Sequence, residues 1–214
     1  MPDEIICLDM DNTLLRSDKT HLVAFKRAFK KNGLPKLPSA KIVALFGLIA
    51  KDMLRQLFPD IDEVTLNNVV LDHDRFVVND TAKYVHVFRG AKRALKLLKP
   101  HYKLALLSNC KHFEVKAIIK AAGIEDSTFS SIVGNDDVVH PKPNPDEIKR
   151  AMKEVGLYKG YMVGDTVYDM RAGKAAGLKT IAVLTGHHSR NRLKKENPDY
   201  ILKSVADLPR LLLD

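Results

Sequence analysis

The chain has 214 residues, with 35 lysines and arginines against 26 aspartates and glutamates, a formal charge of +9 at neutral pH. At 45% hydrophobic and 29% charged residues, its composition is that of a soluble globular protein and excludes whole-chain disorder. Its apolar runs are too short for a transmembrane helix or a signal peptide, and Cys7 and Cys110, outside any Cys-x-x-Cys spacing, exclude a disulfide framework and fit a reducing cytoplasm.

The first apolar run, Ile5-Ile6-Cys7-Leu8, is unbroken rather than alternating, as a strand buried on both faces requires. Residues 16 to about 84 then carry helical patterns only. Leu22, Phe25, Ala28 and Phe29 share one face before Gly33-Leu34-Pro35. Leu45, Leu48, Met53, Leu54, Leu57 and Phe58 form a second pattern that stops at Pro59, and Val64, Val69, Val70 and Phe76 belong to a third over 62–84. A helix over 91–98 leads back to four more apolar runs: Leu104-Ala105-Leu106-Leu107, Ile132-Val133, Tyr161-Met162-Val163 and Ile181-Ala182-Val183-Leu184. Helices over 111–122, 145–155 and 167–176 alternate with them, each followed by a glycine that tolerates a left-handed backbone. The alternation predicts an α/β fold: a Rossmann-like three-layer parallel sheet core over 1–15 and 85–214, with an all-helical domain over 16–84 inserted after strand one.

Several apolar runs end in residues capable of chemistry, and in an open parallel sheet ligands bind beyond the carboxyl ends of the strands. Leu8 is followed by Asp9-Met10-Asp11-Asn12-Thr13, Leu107 by Ser108-Asn109, and Val163 by Gly164-Asp165, while the stretch after Ile132-Val133 reaches Pro141-Lys142-Pro143. Asp9 and Asp11, two apart on extended backbone, point the same way, and Asp169 lies one helical turn beyond Asp165. Four acids brought together suggest a hard divalent ion with oxygen ligands, Mg²⁺ if the substrate carries phosphate. Lys142 would offset negative charge, and Ser108 with nearby backbone amides would bind phosphate oxygens. A calcium loop is excluded, because its sixth position is Leu14 rather than glycine and its twelfth is Thr20 rather than glutamate. Taken singly, each element has a bland reading, as a solvated turn, a helix cap or a surface lysine; their shared strand-end placement argues against coincidence.

These motifs resemble those of the haloacid dehalogenase superfamily, specifically its phosphatases with a helical cap, over essentially the whole chain. Leu8-Asp9-Met10-Asp11-Asn12-Thr13-Leu14 is similar to the first motif, Leu107-Ser108-Asn109 to the second, Lys142-Pro143 to the third, and Gly164-Asp165-Thr166-Val167-Tyr168-Asp169 to the fourth. Asn12 stands where glycine is commoner, and asparagine also tolerates unusual backbone angles. The resemblance implies that Asp9 is the nucleophile and Asp11 the general acid, then base. It implies that Ser108 and Asn109 hold the phosphoryl group and Lys142 neutralises charge. Asp9, the backbone carbonyl of Asp11, and Asp165 would bind Mg²⁺ with support from Asp169, and residues 16–84 would form the cap.

Asp11 itself favours phosphate esters over carbon–halogen bonds, whose cleavage needs no protonated leaving oxygen. The segments Phe46-Gly47, Leu57-Phe58-Pro59 and Gly134-Asn135-Asp136-Asp137-Val138 look most like phosphoglycolate phosphatases, making phosphoglycolate the leading substrate. Pyrophosphate, sugar phosphates and nucleotides are the alternatives. Ala50, where mutases of the superfamily commonly place an arginine, counts against a phosphomutase. Lys51 and Arg55 are the cap cations that could reach a second anionic group. The reading is therefore a cytoplasmic Mg²⁺-dependent phosphatase, monomer or homodimer, acting on a small anionic substrate. No membrane or nucleic-acid partner is expected, since the basic cluster Arg190, Arg192, Lys194 and Lys195 has no aromatic interleaving. Cys110 is expected near the phosphate site as an inert thiol, and His187-His188 as an exposed loop pair.

Overall fold

The computed structural model describes residues 2–214. It begins with β1 (Ile5–Asp9), all of whose residues are buried. After a short β2 (Leu15–Arg16), the chain runs through helices α1 (Asp18–Lys31), α2 (Ser39–Val43), α3 (Ala50–Leu57) and α4 (Glu63–Phe76). It returns through a π-helical turn, Val77–Thr81, and a 3-10 turn, Ala82–Tyr84, to β3 (His86–Val87). From there helices and strands alternate: α5 (Ala91–Leu98), β4 (Lys103–Ser108), α6 (His112–Ala121), β5 (Ser131–Gly134), α7 (Asp146–Val155) and β6 (Gly160–Gly164). The chain ends with α8 (Val167–Ala175), β7 (Lys179–Val183), α9 (Arg190–Lys194), β8 (Tyr200–Leu202) and α10 (Leu208–Leu213).

Six of the strands form one parallel sheet in the order β5-β4-β1-β6-β7-β8. Successive side chains of a strand point to opposite faces, so an unbroken apolar run serves two cores. Ile6 and Leu8 of β1 pack with Leu106, Val163 and the α5 and α6 residues Leu95, Ile118 and Ile119. Ile5 and Cys7 pack on the other face with Leu107, Met162 and the α7 residues Ile148 and Met152. The chain leaves β1 towards β4 on one side and later returns to β6 on the other, so strand order reverses at β1. Such a reversal opens a crevice at the carboxyl ends of the strands.

The helices between β2 and β3 bury a core of their own, built from Phe25, Phe29, Ile42, Met53, Leu54, Leu66 and Val69. At its start, α4 is capped by Asp62, whose side chain accepts from the Thr65 amide at 2.9 Å.

The structure departs from the sequence expectations in three places. The pattern from Leu45 to Phe58 is not continuous: Gly47, at φ +101°, breaks it between α2 and α3. Leu15–Arg16 pairs antiparallel with Val87 and His86, a ribbon of two residues a side, too short for an apolar run to announce, just where the helical segment leaves and rejoins the core. Tyr200–Leu202 adds a sixth strand at the sheet edge, where partial exposure left no continuous apolar run to read.

Candidate active site

Asp9 is the last residue of β1, Ser108 the last of β4, and Asp165 follows the last residue of β6. Register therefore brings together side chains far apart in sequence. Beyond Asp9 the backbone turns at Asn12, whose φ of +57° lies in the left-handed region that asparagine tolerates. The turn sends Thr13 Oγ1 to Asp165 Oδ1 at 3.1 Å. Asp9, Asp11, Ser108, Asn109, Lys142, Asp165, Asp169 and Lys51 all line one cavity of about 420 Å³.

Lys142 lies at the centre of one end, only 5% exposed, with Nζ 2.7 Å from Asp9 Oδ1 and 2.8 Å from Asp169 Oδ1. Burial alone would discharge this lysine, but Asp169, Asp9 and Glu147 overcome it and hold its pKa well above the usual value. Burial pushes the Asp9 carboxyl up to about 8 against the pull of Lys142, with Asp169 and Asp11 adding to the rise. Burial and the charges of Asp9 and Asp169 likewise drive Asp165 well above the carboxylate range.

Asp9, Asp165 and Asp169 bring carboxylate oxygens within 4.8 Å of one another, all buried. One lysine cannot neutralise three acids in a low-dielectric site, so this donor set fits a divalent cation. Asp169 has little to offer as a direct ligand. Its Oδ1 is taken by Lys142, and its Oδ2 accepts from Thr166 N at 3.0 Å and Thr166 Oγ1 at 2.6 Å. Asp9 Oδ2 and Asp165 Oδ2 accept no protein hydrogen bond among the described residues, which makes them the available oxygens.

Asp11 is hydrogen-bonded outside this triad. Its Oδ2 accepts from Ser108 Oγ at 3.2 Å and from the Cys110 thiol at 3.5 Å, and its Oδ1 lies 3.3 Å from His21 Nε2. Burial would raise the Asp11 pKa, but the hydrogen bond and charge of His21 outweigh it and hold it down to about 2. The Cys110 thiol sits in the site, as expected, and burial together with Asp11 raises its pKa well above the thiol range, so the thiolate form is suppressed.

Sequence reading missed the opposite wall. His21 of α1 lies 3.3 Å from His73 of α4, and His73 Nδ1 lies 3.3 Å from Asp74 Oδ1 and 3.5 Å from Glu114 Oε1. Lys111 Nζ closes the chain at 2.7 Å from Asp74 Oδ2. The available signal was the position of His73 and Asp74 one turn beyond Val69 and Val70, on the buried side of an amphipathic helix. Asn109 was expected to act through its backbone amide. Its side chain also ties the sheet edge to the helical layer, donating to Gly47 O at 2.7 Å and Lys142 O at 3.0 Å. Lys51 sits exposed at the cavity rim. His187 is exposed, as expected, beside Asp18 at 2.9 Å, whereas His188 is buried and its Nδ1 accepts the Val167 amide at 3.0 Å, capping α8.

A family model described as haloacid dehalogenase-like hydrolase matches residues 6–183. Among curated relatives, pyrophosphatase PpaX of Oceanobacillus iheyensis is 27% identical, over 98% of this chain and 96% of its own. A phosphoglycolate phosphatase of Aquifex aeolicus is 28% identical, over 97% and 96% respectively. Among solved structures, a hydrolase from Pseudomonas syringae superposes with a TM-score of 0.84 at 23% identity, covering 99% of this chain and 98% of that one. A haloacid dehalogenase-like family hydrolase from Streptococcus pneumoniae does so with 0.84 at 21% identity, covering 97% of each chain.

Proposed function

Because the chain belongs to the haloacid dehalogenase-like hydrolase family, we propose that it is a Mg²⁺-dependent phosphatase of small phosphate monoesters, working through an aspartyl phosphate on Asp9. The observation that carries this reading is the Asp9–Lys142–Asp169–Asp165 arrangement. It holds one carboxylate oxygen beside a lysine and leaves the other free, in a buried site with excess negative charge.

A carboxylate attacks a phosphate dianion only if their mutual repulsion is removed. Lys142 supplies part of that relief and fixes the Asp9 side chain through Oδ1. Mg²⁺, held by Asp9, Asp165 and the Asp11 carbonyl, would supply the remaining charge neutralisation. Asp169 positions Lys142, and Ser108 with Asn109 holds the transferring group. Asp11 protonates the leaving oxygen and then takes a proton from the attacking water. At rest it is ionised beside His21, and an arriving phosphate dianion raises its pKa towards the acid form.

Residues 16–84 act as a cap over the core formed by 1–15 and 85–214, excluding water until the leaving group departs. The ribbon of Leu15–Arg16 with His86–Val87 is its hinge. The relatives' names offer pyrophosphate and phosphoglycolate as substrates, and the sequence resemblance favours phosphoglycolate among monoesters.

The test is phosphate release from a panel of phosphoglycolate, pyrophosphate, sugar phosphates, nucleotides and para-nitrophenyl phosphate, with Mg²⁺ and then with EDTA. Metal-dependent release is the expected result. No release from any compound by the folded, metal-loaded protein would overturn the reading.

A further inference from the structure

Beyond Asp11, the cavity wall is formed by α1, α4 and the start of α6, and its charge is unusual for a site that must accept an anion. Asp74 and Glu114 both line it, in addition to Asp11. Its cations are already committed. Lys142 sits between Asp9 and Asp169, His21 lies on Asp11, Lys111 on Asp74, and His187 on Asp18. Among the described residues Lys51 is the one lining lysine without an ion pair, and its side chain is exposed at the rim.

One buried polar atom of this wall, Glu114 Oε1, makes no hydrogen bond; the nearest ring nitrogen, His73 Nδ1, lies 3.5 Å away and closer still to Asp74 Oδ1, at 3.3 Å. Glu114 is 3% exposed, and its Oε2 is taken by the Lys111 backbone amide at 3.0 Å, so Oε1 is the oxygen left facing His73 and Asp74. Burial and the neighbouring Asp74 push this carboxyl up to about 7.

We infer that this end of the cavity selects phosphate esters whose leaving group carries a hydrogen-bond-donating, uncharged or cationic group, a hydroxyl or an ammonium, and disfavours a second anion. A carboxylate or second phosphate presents acceptors only, against the unpaired Glu114 oxygen and the acids Asp11 and Asp74. A hydroxyl or ammonium supplies the missing donor. Sites with unpaired buried polar groups discriminate strongly on this basis. The inference rests on the phosphatase reading but runs against phosphoglycolate and pyrophosphate, the substrates that the resemblance and the relatives' names offer.

Three two-carbon esters test it, alike except for the second group: 2-hydroxyethyl phosphate, 2-aminoethyl phosphate and phosphoglycolate, with para-nitrophenyl phosphate alongside. The native enzyme should turn over the better of the first two with kcat/KM at least about tenfold above phosphoglycolate. Glu114→Gln, which removes a negative charge and offers an amide donor, should shrink that ratio. Hydrolysis of the aryl ester with phosphoglycolate equal or preferred overturns the inference alone, as does an unchanged ratio in a folded Glu114→Gln enzyme. Inertness towards all four esters overturns the phosphatase reading and the inference with it. If the variant fails to fold, the native ratio decides.

Discussion

Lys142 Nζ lies 2.7 Å from Asp9 Oδ1 across 133 positions of sequence, and the same nitrogen lies 2.8 Å from Asp169 Oδ1. The lysine therefore keeps a partner if Asp9 is neutralised, whereas the two acids lose theirs if the lysine is removed. Asp9→Asn should lower kcat by at least about 10³-fold, the scale set by loss of a covalent nucleophile. It should leave the melting temperature unchanged or raised, since burial has already pushed the Asp9 carboxyl up to about 8. Lys142→Ala should lose turnover and about 3–5 kcal/mol of stability together, because it leaves buried carboxylates unpaired. Steady-state kinetics and thermal melting of both variants check the contrast; equal melting behaviour in the two would contradict it.

The excess of buried acids at Asp9, Asp165 and Asp169 makes metal binding a folding term as well as a catalytic one. At 100 times its dissociation constant, Mg²⁺ should add about 2.7 kcal/mol, which raises the melting temperature of a chain this size by roughly 5–10 °C. EDTA should reverse the shift. In Asp165→Asn the metal-dependent rise should fall to a small fraction of the native value while the metal-free protein melts no lower. Differential scanning calorimetry over a Mg²⁺ titration measures both.

Much of this site was legible in the chain because each sheet residue is placed by local pattern alone. Unbroken runs ending in Asp9, Ser108 and Asp165 give strands, and parallel strands put their carboxyl ends on one edge. The tie from Asn109 to Gly47, the buried His188 and the His21–His73–Asp74–Lys111 wall were not legible. They depend on how the helical layer sits over the sheet: the position of His73 and Asp74 one turn beyond Val69 and Val70 marks them as buried, but only that packing brings them to His21 and Lys111. The edge strand Tyr200–Leu202 escaped for a related reason: with a neighbour on one side only, it needs no continuous apolar run.

Gly186 belongs to the same unread category. A Cβ built there would overlap Asp165 Oδ2, the acid oxygen left free for a cation, and come within 2.8 Å of Asp165 Cβ, so glycine's lack of a side chain is what gives that residue its room. Its backbone is not in the left-handed region, so the cost of alanine lies in this contact rather than in φ. Gly186→Ala should therefore displace Asp165 rather than unfold the loop. The expected outcome is a weaker apparent Mg²⁺ affinity, by about tenfold or more. A Mg²⁺ activation curve matching the native one would show that Asp165 does not need that space.

Glu147 offers a test of stability against pH that leaves the four acids of the site intact. It is fully buried on α7, its Oε1 accepts the Lys142 amide at 3.4 Å, and its Oε2 has no partner. Burial pushes its pKa from 4.5 up to about 7, although Lys142 pulls the other way. Between those values the folded protein binds more protons than the unfolded chain, so this residue makes stability fall as pH rises from about 4.5 to about 7. The loss approaches 3 kcal/mol, at about 1.4 kcal/mol per pKa unit. Glu147→Gln is neutral throughout and keeps the acceptor. Its melting temperature should match the native protein near pH 5 and exceed it near pH 8 by several degrees, at about 2–4 °C per kcal/mol. Thermal melting of the two proteins across that range decides the matter: a constant offset, or none, would mean that Glu147 is already ionised in the folded state and held by Lys142.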